Sequence, residues 1–323
     1  MGRPNPHIED YTVGWICALP IERAAAEQML DEELKTYDIF TLGRIAGHNV
    51  AIASLPAGQI GLSSAATLAS QMQSAFPFIR IGLMVGIGGG VPSDEADIRL
   101  GDVIISQPSG QHGGVVQYDL GKAESGGRRT RTGSLNTPPA VLLGALGMLR
   151  THQYRGKTNP LRHLSALGDL ADFASPEKTT DILFRADYDH SGGPTCDGCD
   201  KDYIVNRAPR SREGMIHYGT IASGNQVIKH GETRDKLSSE LGGVLCFEME
   251  AAGLMNSLPT LVIRGVCDYA DSHKNESWQP YAAATAAACA KEILSVIPTS
   301  EISDIRIVDG TIKGLLGKLF KHA

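Results

Sequence analysis

The stretch VLCFEMEAAGLMNSLPTLVIRGVCDYAD, residues 244–271, constrains this chain more than any other. It sets Glu248, Glu250, Arg264, Asp268 and Asp271 inside two otherwise apolar units. The first, Cys246-Phe247-Glu248-Met249-Glu250, passes from an apolar strand into a small-residue helix over 251–255. The second, Leu261-Val262-Ile263, is a short β-branched run that ends on Arg264 and then Asp268. Open α/β sheets place their ligands at strand ends. Ionisable groups beside so much apolar surface are costly unless paired or used. The pattern predicts an α/β protein with a charged site at its strand ends.

The remaining segments agree. Apolar runs over 11–18, 79–85, 102–106, 215–222, 245–247 and 261–266 read as strands, and 39–45 with 49–55 as a hairpin around Gly47-His48. Helical patterns cover 20–30, where Pro20 suits a first turn, then 63–72, 141–152 and the Ala-rich 278–297. This alternation predicts a mixed central β-sheet flanked by helices. Residues 1–10 are expected to form an N-terminal arm and 11–298 one domain, with polar, Gly-rich loop insertions at 107–136 and 187–209. In the tail, 299–323, apolar and basic residues recur at helical spacing. A packed terminal helix or a frayed end competes there with contact to a membrane or partner.

Apolar content of 42% supplies a core, and a net charge of −6 without a basic stripe gives no footprint for nucleic acid. No apolar run reaches the ~18 residues of a membrane span, and the first residues lack a secretory pattern. Cys17, Cys246, Cys267 and Cys289 lie in apolar segments and read as buried thiols, so a reducing, cytoplasmic setting is expected. Cys196-x-x-Cys199 with His190 nearby falls one ligand short of a structural zinc site. Neither metal nor cofactor is expected.

Six motifs stand in order: VGWICALPIERAAA, VGIGGGVP followed by LGDVIIS, HGGVVQYDLGK, IASGNQV, CFEMEAAGL and RGVCDYADSHKN. Through them the chain resembles the nucleoside phosphorylase/nucleosidase superfamily over roughly residues 11–298. It is most similar to the fungal purine and uridine phosphorylase-like domains found at the front of larger multidomain receptors. The resemblance implies that Glu250 accepts hydrogen bonds from the ribose 2′- and 3′-hydroxyls, with Met249 packed on the sugar. It implies that Asp268 protonates N7 of a purine, with Arg264 as its candidate partner. Glu22 matches the glutamate that positions water in methylthioadenosine-type nucleosidases, and Gly88 and Gly89 match a glycine turn that offers N–H groups near the reacting carbon. Asn225 and Val227 would line the base pocket and Phe247 would contact the base.

The chemistry fits these residue types. Breaking a glycosidic C–N bond builds oxocarbenium character on the sugar and negative charge on the base, so a general acid and a carboxylate near the sugar are needed. Asp268 is then expected to be protonated near neutral pH through burial. Taken alone, Asp268 also reads as a helix cap, and Glu22 and Glu250 as first-turn carboxylates. Glu248 fits that reading best and stays outside the expected chemistry.

Phosphorolysis would need cations and hydroxyl donors for phosphate. Where the hexameric phosphorylases carry an arginine and a hydroxyl residue around the glycine turn, this chain has Met84 and Ile87. A third phosphate arginine falls at Glu22 or at Arg23. These departures point to water as the nucleophile and to a purine nucleoside N-ribosyl hydrolase that releases free base and ribose. The alternatives are a phosphate-dependent phosphorylase, a nucleotide (AMP or ATP) nucleosidase, and a non-catalytic nucleoside-sensing domain. His112, Gln117, Tyr118 and Asp119 would meet a 5′-hydroxyl, and Arg128, Arg129 and Arg131 a 5′-phosphate. The resemblance also implies a homo-oligomer, a dimer or a multiple of dimers.

Overall fold

The computed structural model describes residues 5–125, 129–159, 161–168, 170–210, 214–303 and 305. Strands β1 (Val13–Cys17), β2 (Glu32–Tyr37), β3 (Phe40–Ile45), β4 (His48–Ser54) and β5 (Ile81–Gly90) come first. They are followed by β6 (Val103–Ser106), β7 (Val115–Gln117), β8 (Gly121–Ala123) and β9 (Arg129–Arg131). The last four are β10 (Ile216–Gly219), β11 (Ile221–Ser223), β12 (Cys246–Glu248) and β13 (Thr260–Asp268). The helices are α1 (Pro20–Glu27), α2 (Leu62–Ala75), α3 (Ala140–Tyr154), α4 (Gly231–Glu240), α5 (Gln279–Ser295) and α6 (Thr299–Ser303).

All of the strands except β8 and β9 join one mixed sheet, whose main path runs β10-β6-β13-β5-β1-β4-β3-β2. Strands β4, β1, β5 and β13 are mutually parallel and form its centre. Every residue of β1 and β13 is buried, as expected of parallel strands covered on both faces. Helices α1, α3 and α5 cover one face, and α2 covers the other. Strand β12 runs antiparallel to the end of β5, pairing Phe247 with Gly89. That junction brings the two units of the 244–271 stretch together at one edge of the parallel core.

The departures from sequence expectation have local causes. Strand β2 and helix α4 were not foreseen because β2 is almost wholly exposed and α4 is polar around most of its surface, so neither carries a clear apolar period. The 215–222 run divides at Thr220 into β10 and β11. The expected helix over 251–255 is only a short 3₁₀ turn, Ala251–Gly253. Residues 86–90, expected as a glycine turn, instead continue β5, and none of the five has a left-handed φ. Four of them, Gly86, Gly88, Gly89 and Gly90, are glycine because neighbours approach closely. A Cβ on Gly88 would lie 2.5 Å from Cys246 Sγ, and one on Gly89 2.8 Å from Asp268 Oδ1. The expected tail helix falls, apart from α6 and residue 305, outside the described residues. Among those described, no helix is long and apolar enough to cross a membrane.

Candidate active site

Glu22 is the third residue of α1, and its carboxylate folds back over the end of β1. Its Oε2 accepts from the Ala18 and Leu19 N–H groups at 2.6 and 2.9 Å, closing off the helix start. Its Oε1 accepts from the Ile87 N–H at 2.8 Å, tying the ends of β1 and β5 together. Gly86 makes room for this arrangement, because a Cβ there would collide with Glu22 Oε1 and sit 2.6 Å from Arg264 Nη1. Burial raises the Glu22 pKa, against the pull of Arg264 and the three N–H donors.

Arg264, fully buried on β13, pairs with Glu248 and lies 3.4 Å from Glu250 Oε2. It also donates to the Ile87 carbonyl at 3.3 Å. This corrects the expectation that Arg264 is the partner of Asp268. The reason is register: Arg264 stands opposite Gly86, four residues before the strand end, where the β12 carboxylates converge. Glu248, left outside the expected chemistry, is a principal partner of this guanidinium. It also accepts from the Glu250 and Ala251 N–H groups at 3.0 Å and so holds the chain that carries Glu250. Against burial, the carboxylates of Glu248, Glu250 and Glu22 keep the Arg264 pKa raised. Glu250 Oε1 accepts from the Gly61 N–H at 3.2 Å. Its pKa is raised to about 7, chiefly by burial, with Glu248 and Glu22 adding to the rise and Arg264 opposing it.

Asp268 stands about one strand-repeat further along. Its Oδ2 accepts from Lys274 Nζ at 2.7 Å, and its Oδ1 from the Ala270 N–H at 2.9 Å. An ion pair with Lys274 is found where the sequence suggested a protonated acid partnered by Arg264. The Lys274 pKa stays raised because Asp268 outweighs the burial of the ammonium. Lys274 was quoted in the RGVCDYADSHKN motif but given no role, and its position six residues after Asp268 was the available signal.

These groups open into one cavity of about 290 Å³. Of the expected residues, Glu22, Gly88, Gly89, Val227, Phe247, Met249, Glu250 and Asp268 line it, together with Glu248 and Lys274. Arg264 and Asn225 are not among its lining. Arg264 lies behind the carboxylates, while Asn225 Oδ1 accepts from the Leu62 N–H at 3.2 Å and so braces the start of α2. Val227 is 46% exposed at the cavity mouth, and Lys229 stands beside it. An adjoining cavity of about 910 Å³ shares Gln226 and Ile228 with the first. It is lined by His112, Tyr118, Asp119, Lys122 and Arg131. Of the arginines expected on this side, Arg128 lies outside the described residues.

The sequence pattern of the phosphorylase superfamily matches residues 12–297, and the chain belongs to that superfamily. It is 47% identical over 317 residues to a nucleotide-binding leucine-rich repeat (NLR)-like protein of Hyaloscypha variabilis; the match takes in 95% of this chain but 31% of that protein. It is 25% identical over 295 residues to the 5′-methylthioadenosine/S-adenosylhomocysteine nucleosidase of Mycobacterium bovis, covering 89% of this chain and 97% of that one. Among solved structures, futalosine hydrolase of Helicobacter pylori shares the fold with a TM-score of 0.58 at 17% identity, over 88% of this chain and 97% of that one.

Proposed function

We propose that this chain hydrolyses the N-glycosidic bond of purine nucleosides. The observation that carries the reading is the meeting of Glu22, Glu250 and Asp268 in one cavity, with the Glu22 carboxylate held by three backbone N–H groups. A carboxylate fixed in this way is a positioned base for water. In the proposed reaction Glu22 takes a proton from water as its oxygen bonds to C1′. The C1′–N9 bond breaks with its electron pair passing to the base, and N7 takes a proton from the Asp268–Lys274 side. Glu250, with Met249 beside it, receives the ribose hydroxyls, and Arg264 positions Glu248 and Glu250 from behind.

Water is favoured over phosphate by the charges on the cavity wall. Four carboxylates line it against Lys229 and Lys274, and Lys274 is already paired with Asp268. Met84 is buried in the core, and Ile87 presents hydrocarbon. Arg23 turns to Glu27 and Thr41, at 2.8 Å from each. A dianion beside the sugar would meet net repulsion. The nucleosidase name of the Mycobacterium bovis relative supports the same reading.

The test is purine release from adenosine and guanosine in phosphate-free buffer. Release that begins only on adding phosphate would make the protein a phosphorylase, and binding without release from any nucleoside would leave a sensing domain. A second reading, a nucleotide substrate, is favoured by Lys122 and Arg131 in the adjoining cavity and by Lys229 at the mouth. AMP and ATP assayed alongside adenosine decide it. A kcat/KM for ATP at least about tenfold above that for adenosine, lost in Lys122→Ala/Arg131→Ala, would carry this reading.

A further inference from the structure

The 187–209 insertion packs against the loop that follows Asp268. Within it, His190, Cys196 and Cys199 each bring a ligand atom to within 4.8 Å of the others. By spacing alone the set is one ligand short, but a further imidazole arrives from a different element. The His273 ring lies 5.5 Å from the His190 ring, edge to face; its nitrogens fall outside the 4.8 Å group, so it would have to move further than the other three to close on a metal. His273 is 9% exposed, and neither ring nitrogen has a hydrogen-bond partner among the described residues. Its ring is clamped by stacking on Phe184 at 4.0 Å, and Asp271 Oδ1 stays 3.7 Å from Nδ1. A buried polar group left unpaired is costly, so these nitrogens call for a partner.

His190 is set up as a ligand. When Nε2–H donates to the Thr195 carbonyl at 3.0 Å, Nδ1 carries the lone pair, which accepts from the Gly192 N–H at 3.1 Å and would exchange that bond for a metal. A backbone carbonyl that orients the far nitrogen is the usual support of a metal-bound imidazole. Cys199 is buried, with Ser191 Oγ 3.5 Å from its sulfur. Zinc bond lengths set ligand separations of roughly 3.3–3.8 Å in a tetrahedron, so closure of the three atoms asks for movement on the order of 1 Å.

We propose that His190, Cys196, Cys199 and His273 form a structural zinc site. It fastens the insertion to the 268–274 loop that carries Asp268 and Lys274. This departs from the expectation of no metal, which counted ligands along one segment only. Zinc would displace the two thiol protons and take a Cys₂His₂ set. The insertion already touches that loop, since the His190 N–H donates to Ser272 Oγ at 2.9 Å.

The test uses the full chain, stripped with a chelator under reducing conditions and titrated with Zn²⁺ or Co²⁺ alone. About one equivalent of zinc per chain is expected, with tetrahedral thiolate–cobalt absorption and protection of two thiols from alkylation. Cys196→Ser should weaken binding at least about tenfold, and His273→Ala should change the cobalt spectrum. If a variant fails to fold, thiol protection in the unaltered protein still decides the matter. Zinc well below one equivalent with unprotected thiols, or a Cys196–Cys199 disulfide in protein purified without reductant, would overturn the site. An unaltered cobalt spectrum in His273→Ala would remove His273 from it.

Discussion

At one end of the cavity Glu22, Glu248 and Glu250 crowd around a single buried guanidinium; at the other, Asp268 has a lysine of its own. The first end sits on strand termini and a helix start, the second on the last residue of β13 and the loop that follows it. One cation among three carboxylates leaves a surplus of negative charge, which adds to the burial that raises the Glu250 pKa to about 7. A one-to-one pair leaves no such surplus. The two ends therefore suit different tasks. The crowded end can hold and exchange a proton near neutrality, as the proposed sugar side requires, and the paired end keeps a fixed donor network, as the proposed base side requires.

Removing the shared cation should have the largest effect. Arg264→Met leaves buried carboxylates without their counterion, a change that typically costs about 3–5 kcal/mol. Denaturant unfolding at pH 7.5 should show a loss of that order; a loss below about 1 kcal/mol would mean that water enters the cluster freely and that it is not the buried unit described.

Chemistry should divide the two ends next. Asp268→Asn keeps the shape but removes the acid, and a fall in kcat of about 10²–10⁴ is expected, with little change in folding. Glu22→Gln should fall at least as far, since the amide keeps one acceptor oxygen where the carboxylate offers two to the backbone N–H groups, and it no longer takes a proton from water. Base release by Asp268→Asn at the unaltered rate, measured by spectrophotometry on adenosine, would remove Asp268 from the reaction.

How much of this was legible depends on where each signal lay. The parallel core was readable because β1, β5 and β13 are apolar runs of the right length, and the CFEME and RGVCD segments marked where charge meets strand end. The partner of each carboxylate was not readable. Pairing across β5, β12 and β13 depends on register, and register decided that Arg264 meets Glu248 and Glu250 while Asp268 goes to Lys274. The glycines at 86–90 carried the right position but suggested the wrong geometry, since the same residue serves a turn and a close approach. Asn225 was placed at the site by its motif, yet its side chain braces the start of α2, 163 residues away in sequence.

The acid-sensitive end gives a prediction with a sign. The Glu250 pKa rises on folding from 4.5 to about 7, so the folded protein binds the extra proton between those values. This contribution to stability is present in full below about pH 4.5 and is lost as pH rises through about 7. At about 1.4 kcal/mol per unit the ceiling is roughly 3 kcal/mol. Glu250→Gln should therefore gain on the unaltered protein as pH rises from 5 to 8, when unfolding is followed without ligand. A stability difference that stays flat over that range would show that Glu250 does not titrate there.

The smallest expected change is at Lys274, and it sharpens the comparison most. Its side chain is 29% exposed, against 1% for Arg264, so water takes over part of its work once it is removed. Asp268 also retains the Ala270 N–H and the Cys267 thiol as donors. Lys274→Met should cost about 1 kcal/mol in stability and about tenfold in kcat/KM. The cleaner measurement is the coupling in two double-mutant cycles, Lys274→Met with Asp268→Asn and Arg264→Met with Glu250→Gln. The first should give about 1 kcal/mol and the second nearer 3, because desolvated charges in contact couple more strongly than a partly wetted pair. Equal couplings would mean that both ends of the cavity are equally wet. The contrast between a crowded, proton-holding end and a paired, fixed end would then rest on charge count alone.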